Sequence, residues 1–233
     1  MLPAMDAHVQ PLPPAPTWRP GWPTLIAVVA GLMLTTAMPP FRGTAVLAPL
    51  ALALFFHALR EGPRPGWLAT WFGLAHVGPL MLWLFFLDPA KSIPTRLLVP
   101  VQALAAILFV AAHYTVLGLV VGRVRRWTGP RLLLALLPLL WMLVELLRSW
   151  GLGELGFPWC LTGAAWLESP VRPLYAAAGE LGLGGATALL AAALVLLLAL
   201  WRTRRTTPAG PDRSPAADPA GQAARHLARA LAA

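Results

Sequence analysis

Glu145 and Arg148 stand three positions apart near the end of an apolar stretch, WMLVELLRSW, spanning 141–150. On a helix that spacing puts both on one face. Ionisable side chains in apolar surroundings are costly and must meet a partner or a wet cavity. Two chemistries fit: an ion pair that orients the helix end, or a polar lining for a substrate. A guanidinium matches phosphate oxygens in a bidentate way, so Arg148 is also a candidate headgroup ligand. Directly after come Gly151, Gly153 and Gly156, then Phe157, Pro158 and Trp159. Glycine and proline break a continuous helix here. Non-helical backbone at membrane depth is tolerated only when buried in protein or lining a cavity. We therefore expect a re-entrant or interfacial segment in which Trp150, Phe157, Pro158 and Trp159 border a lipid-access cavity. Glu180, between Gly179 and Leu181, is the further acidic candidate for its lining.

Nucleophilic or metal chemistry has little to work with. Cys160 is the single cysteine and Lys91 the single lysine. A reactive thiol needs a neighbouring cation or base to depress its pKa. Cys160 has Trp159 and Leu161 beside it, so it reads as a packing residue. His57, His76 and His113 fall in three different apolar segments with no supporting carboxylate, and bonds to backbone are the expected role. No catalytic residue, metal or cofactor is assigned.

The elements that must position these residues follow from composition. Of 233 residues 58% are hydrophobic and 12% charged, with a mean hydropathy of +0.67. Soluble domains carry about 25% charged residues. A disordered chain is excluded, and the composition speaks against a soluble enzyme. Apolar segments run over approximately 23–38, 45–59, 66–87, 97–121, 132–148 and 176–201. A spanning helix takes roughly 20 such residues. The expected fold is all-α: a polytopic membrane protein of about six transmembrane helices with a periplasmic re-entrant or interfacial segment. Residues 1–22, rich in proline, form an unstructured lead-in, 23–201 the transmembrane domain, and 202–233 a polar, disordered cytoplasmic tail.

Net charge is +9, yet its placement speaks against nucleic acid. With six spans, one side holds Arg19, Arg60, Arg64, Arg123, Arg125, Arg126, Arg131 and six arginines of the tail. That is 13 of the 18 basic residues. Positive residues accumulate on the cytoplasmic side, so both termini are expected there. The same charge favours anionic headgroups.

Trp141, Glu145, Arg148 and Trp150, followed by Gly156-Phe157-Pro158-Trp159 and Ser169-Pro170, resemble the membrane domain of the apolipoprotein N-acyltransferase family. The segment Trp71-Phe72-Gly73-Leu74-Ala75-His76-Val77-Gly78, with Trp83 after it, is similar to that family's third span. The resemblance covers roughly 24–201. It implies a multi-pass enzyme of the bacterial inner membrane. Such an enzyme moves an acyl chain from a phospholipid to the amino terminus of a lipoprotein, through a thioester on a nitrilase-like domain with a Glu-Lys-Cys triad. No match to that domain or triad lies in these residues. The resemblance thus implies the membrane half of such an enzyme, holding phospholipid and lipoprotein acyl chains beside a separate nitrilase-like catalytic half. The alternative is a non-catalytic scaffold or lipid-binding protein derived from the family, or a truncated gene product.

Overall fold

The computed structural model describes residues 21–86, 98–150 and 160–206, with side chains to Thr203. Among these residues there are six α-helices and no strand: α1 Trp22–Ala37, α2 Leu47–Glu61, α3 Pro65–Leu80, α4 Leu98–Val124, α5 Pro130–Trp150 and α6 Arg172–Thr206. Two 3-10 turns, Leu82–Phe86 and Thr162–Trp166, complete the described secondary structure. Residues through Leu196 form one compact unit, and Leu197 onward a second. Glu145, Arg148 and Glu180 all belong to the first. The expected lead-in falls outside the described residues except for Gly21 and Trp22, and the tail except for the last turns of α6.

Three helices are long and apolar enough to cross a membrane: α4 with 27 residues, α5 with 21, and α6 over Arg172–Thr203. At 1.5 Å per residue the 27 residues of α4 reach about 40 Å, beyond a hydrocarbon core of roughly 30 Å. α1, α2 and α3 have 15–16 residues, about 24 Å, and fall short of it. This is a helical membrane protein whose first three helices are shorter than its last three.

One expected span is divided. The apolar run 66–87 does not continue as one helix, because α3 ends at Leu80 and a 3-10 turn follows. Pro79 has no N–H to offer the carbonyl of Ala75 one turn back. Thr35 on α1 answers this locally: its hydroxyl lies 2.9 Å from the His76 carbonyl and 3.3 Å from that of Ala75. In a medium without water such carbonyls must find a donor inside the protein.

Small residues let the short helices close on one another. A Cβ on Gly31 of α1 would stand 2.5 Å from the Phe72 carbonyl and 2.9 Å from the Cβ of Ala75. On α4, a Cβ on Gly118 would overlap the Pro65 carbonyl and reach 2.8 Å from the Cα of Gly66. Without a hydrophobic force between helices in lipid, such backbone approach is what association rests on. Inside this frame is an aromatic core. Phe55 stacks on Phe72, centroids 3.8 Å apart, and Trp141 meets Phe55, Phe56, Phe72 and Tyr114 at 5.5–6.2 Å. One indole thereby joins α2, α3, α4 and α5.

The connections gather at two ends. At one, Arg125 beyond α4 donates to the Gly62 carbonyl beyond α2 at 2.6 Å. At the other, Arg42 between α1 and α2 lies 3.7 Å from Glu168 before α6. That pair is exposed and contributes little energy, but it records which connections are neighbours.

The α3–α4 seam yields a prediction. Gly118→Leu should lower the thermal midpoint in detergent, at a cost of about 1–3 kcal/mol for overpacking. Gly78→Ala, in α3 with nothing within 4 Å of the added Cβ, should leave it nearly unchanged. Equal effects of the two changes would mean that the seam is not closely packed in solution.

Candidate functional site

The site is built at the end of α5. Trp141, Glu145 and Arg148 recur at i, i+4 and i+7, so one face of the helix carries all three. That face points inward: Trp141 and Arg148 are wholly buried and Glu145 is 1% exposed. The Glu145 and Arg148 charges are 4.0 Å apart, Oε1 to Nη2. That is long for a direct bond, and each charge has firmer partners.

Those partners come from the segment after the glycines. Thr162 gives Glu145 Oε1 two hydrogen bonds, from its backbone N–H at 2.7 Å and its hydroxyl at 2.6 Å. Trp141 Nε1 in turn donates to the Thr162 hydroxyl at 3.2 Å. Arg148 Nη2 donates to the Cys160 carbonyl at 3.0 Å, and its guanidinium carbon lies 5.9 Å from the centre of the Tyr114 ring. Hydrogen bonds to ionised groups are about twice as strong as neutral ones. The carboxylate and guanidinium of one helix end therefore hold the chain at 160 and 162.

The consequence is geometric. Residues 151–159 connect Trp150 to Cys160, and Arg148 reaches across from the near side of that connection to hold its far side. The returning chain is non-helical except for its 3-10 turn, and it is buried in protein: Leu161 and Ala165 are 3% exposed and Thr162 0%. That is the condition under which irregular backbone persists beside lipid.

α6 closes the site from above. Gly179 breaks it with φ 68° and ψ 177°, a conformation essentially reserved for glycine. Past the break, a Cβ on Gly163 would overlap the Glu180 carbonyl, and a Cβ on Gly184 would sit 2.6 Å from Glu145 Oε2. Trp166 Nε1 donates to the Thr187 hydroxyl at 2.7 Å, which fixes the next turn. Glu145 Oε2, the Tyr114 hydroxyl oxygen and His76 Nε2 are buried polar atoms with no hydrogen-bond partner among the described residues. Such groups in a native structure call for a reason.

The expected site residues divide. Glu145 and Arg148 come together and are sealed from solvent and lipid. Trp150, two positions on, is 73% exposed. Glu180 is half-buried and accepts a 3.1 Å hydrogen bond from the Tyr175 hydroxyl. Phe157, Pro158 and Trp159 lie outside the described residues, as does Glu154. Cys160 packs against the core with a positive φ of 62°, and burial pushes its thiol above the ordinary range. That is the reverse of what a nucleophile needs. The histidines take separate places: His76 is buried beside Thr35, whereas His113 lies within 2.9 Å of the Phe109 carbonyl in its own helix. Sequence reasoning missed Thr162, Tyr114 and Gly184. A threonine, a tyrosine in an apolar helix and one glycine among many carry no distinguishing signal until the fold brings them to Glu145 and Arg148.

A family model, the apolipoprotein N-acyltransferase N-terminal domain, matches residues 30–207. The apolipoprotein N-acyltransferase of Azotobacter vinelandii is 35% identical over 209 residues, covering 79% of this chain and 39% of that protein. That of Pseudomonas putida is 33% identical over 190 residues, covering 80% and 37%. That of Photobacterium profundum is 28% identical over 174 residues, covering 73% and 33%. The chain thus spans less than two fifths of the length of these relatives.

If the buried charges hold the 160–162 chain, Glu145→Gln should destabilise the protein by roughly 3–5 kcal/mol, the usual effect of stranding one buried charge. Combining it with Arg148→Met removes the stranded cation and should recover part of the loss. Thermal unfolding in detergent measures both. A single variant as stable as the parent would rule out the clamp.

Proposed function

We propose, from the premise that this chain belongs to the apolipoprotein N-acyltransferase family, that its residues are the membrane part of such an enzyme in the bacterial inner membrane. They take part in lipoprotein N-acylation by holding the acyl chains of phospholipid and lipoprotein. The transfer step itself falls to a nitrilase-like catalytic half outside these 233 residues. The observation that carries the reading is the clamp of Glu145 and Arg148 on Thr162 and Cys160. It joins the residues on either side of 151–159, the stretch whose sequence contains Phe157, Pro158 and Trp159.

Acyl chains have a path to it. Leu143, Leu147 and Trp150 recur at i, i+4 and i+7 on α5 and are 49%, 52% and 73% exposed. This stripe faces away from the core and runs toward residue 151. A hydrocarbon chain lying along it ends beside Trp150, whose indole suits the interface where headgroups begin. Glu180, half-buried and bonded to Tyr175, is a further polar group beside Gly163 of the clamped chain. Glu145 and Arg148 are positioning residues in this scheme, because both are buried under the chain they hold.

Orientation follows from charge. Arg60, Arg64, Arg123, Arg125 and Arg126 gather at the end opposite the clamp, which makes that end cytoplasmic and the clamp periplasmic. Both termini are then cytoplasmic.

Two experiments test this. The first uses the purified chain reconstituted with a phospholipid bearing a photoreactive group at the acyl terminus. Label should concentrate in 143–159 relative to the outward face of α4, and Trp150→Ala should reduce it several-fold. Even labelling of every lipid-facing helix would refute a dedicated acyl path. The second is a reporter enzyme joined after Trp127 or after Ala233. Both should behave as cytoplasmic, and a periplasmic signal from either would overturn the orientation.

A further inference from the structure

A cavity of about 440 Å³ lies at the arginine-rich end of the bundle, between the α2–α3 turn and the last turns of α4. Arg64, Arg123, Arg125 and Arg126 line it, with Trp67 and Gly122. A basic end is what the positive-inside rule produces in any case, usually as scattered, solvated charge. This end differs in three respects.

First, the wall is built rather than loose. Arg125 Nη1 donates to the Gly62 carbonyl at 2.6 Å and lies 3.3 and 3.4 Å from the carbonyls of Arg60 and Leu59, the unsatisfied end of α2. That guanidinium fastens the α2–α3 turn to α4. The Arg123 guanidinium sits 5.2 Å from the ring centre of Trp127. Second, among the described residues no carboxylate lines the cavity, and neighbouring Glu61 is taken by Arg60 at 2.6 Å. Among the described residues Arg64, Arg123 and Arg126 form no ion pair with a carboxylate. The N-terminus of α3, sixteen residues long and without a side-chain cap, adds Pro65 and Gly66 to the lining, so its positive dipole end faces the same space. Third, an apolar track leaves the cavity. Leu108, Ala112, Val116 and Leu119 lie on one outward face of α4, and Leu119 is itself part of the cavity wall. Trp67 and Trp127 are 54% and 74% exposed, at the depth where aromatic residues meet headgroups.

We propose that this cavity binds the phosphate headgroup of an anionic phospholipid, whose acyl chains lie along the outward face of α4. Phosphate oxygens take the guanidinium N–H groups of Arg64, Arg123 and Arg126, which arginine does in a bidentate way. The apolar track singles out a lipid over a soluble phosphate, since a free ion gains nothing from it. The site lies at the other end of the bundle from the acyl path on α5 and would stand if that reading failed.

The test uses the full chain in mixed micelles of equal phosphatidylglycerol and phosphatidylcholine, followed by detergent exchange and quantification of retained lipid. The parent should retain phosphatidylglycerol over phosphatidylcholine by roughly tenfold, as expected for several basic residues near a lipid surface. Arg64→Gln with Arg123→Gln should abolish that preference. Leu119→Trp, which fills the cavity while keeping every arginine, should abolish it too; this variant decides the matter should the arginine pair fail to fold. Arg131→Gln with Arg172→Gln, outside the cavity, should leave it intact. Equal retention of the two lipids by the parent would overturn the proposal. So would an undiminished preference in Leu119→Trp, which would reduce the effect to general attraction. Release of the retained lipid by millimolar inorganic phosphate would overturn the lipid assignment in favour of a soluble ion.

Discussion

A carboxylate and a guanidinium buried in one helix end set the terms for everything around them. Neither charge is stable in a low-dielectric interior without hydrogen bonds, and their mutual separation of 4.0 Å is too long to satisfy either. Each therefore needs other groups. Glu145 takes both donors of Thr162, and Arg148 takes the Cys160 carbonyl. These requirements fix the returning chain to within a hydrogen-bond length. They also oblige α6 to be small where it crosses, which Gly184 is. The buried charges thus meet their hydrogen-bonding needs from the chain at 160 and 162.

The same logic explains where glycine is spent. Gly118 and Gly31 bring α4 and α1 to within backbone contact of α3, and Gly163 brings the 3-10 turn against Glu180. Three helices of 15–16 residues each bury about half of their length. Close approach gives them the dispersion contacts that longer helices obtain by length. Gly179 has another duty. Its φ of 68° redirects α6 so that the stretch from Glu180 onward meets the site.

Much of this was legible in the sequence and some was not, for physical reasons. Hydropathy located the six helices because apolar length is a direct consequence of the bilayer. It overran α3 because the run continues to Leu87 while the hydrogen bonding does not. Pro79 was the available clue, but proline is tolerated in membrane helices whenever a neighbour supplies a donor, and that neighbour, Thr35, is 44 positions away. The pairing of Glu145 with Arg148 followed from helical spacing alone. Their partners did not, since Cys160 and Thr162 lie 12 and 17 positions further along the chain and helical spacing cannot place them. Burial was likewise illegible: the same spacing fits a wet cavity lining or a dry clamp, and only the 0–1% exposure of the two side chains separates these.

The two ends of the bundle answer opposite electrostatic needs. At the clamp end the charges of the described residues are few, mixed in sign and, at the centre, removed from solvent. Glu145 meets Arg148 indoors and Glu168 meets Arg42 outdoors. At the other end, among the described residues, the arginines outnumber the single carboxylate, Glu61, which pairs with Arg60; Arg125 serves backbone carbonyls and Arg123 lies over the Trp127 ring. A bundle with mixed charge at one end and an excess of arginine at the other has one favourable orientation in a membrane whose inner face is anionic. Arg125, which fastens the end of α2 to α4, also supplies part of that excess, so packing and charge asymmetry share a side chain.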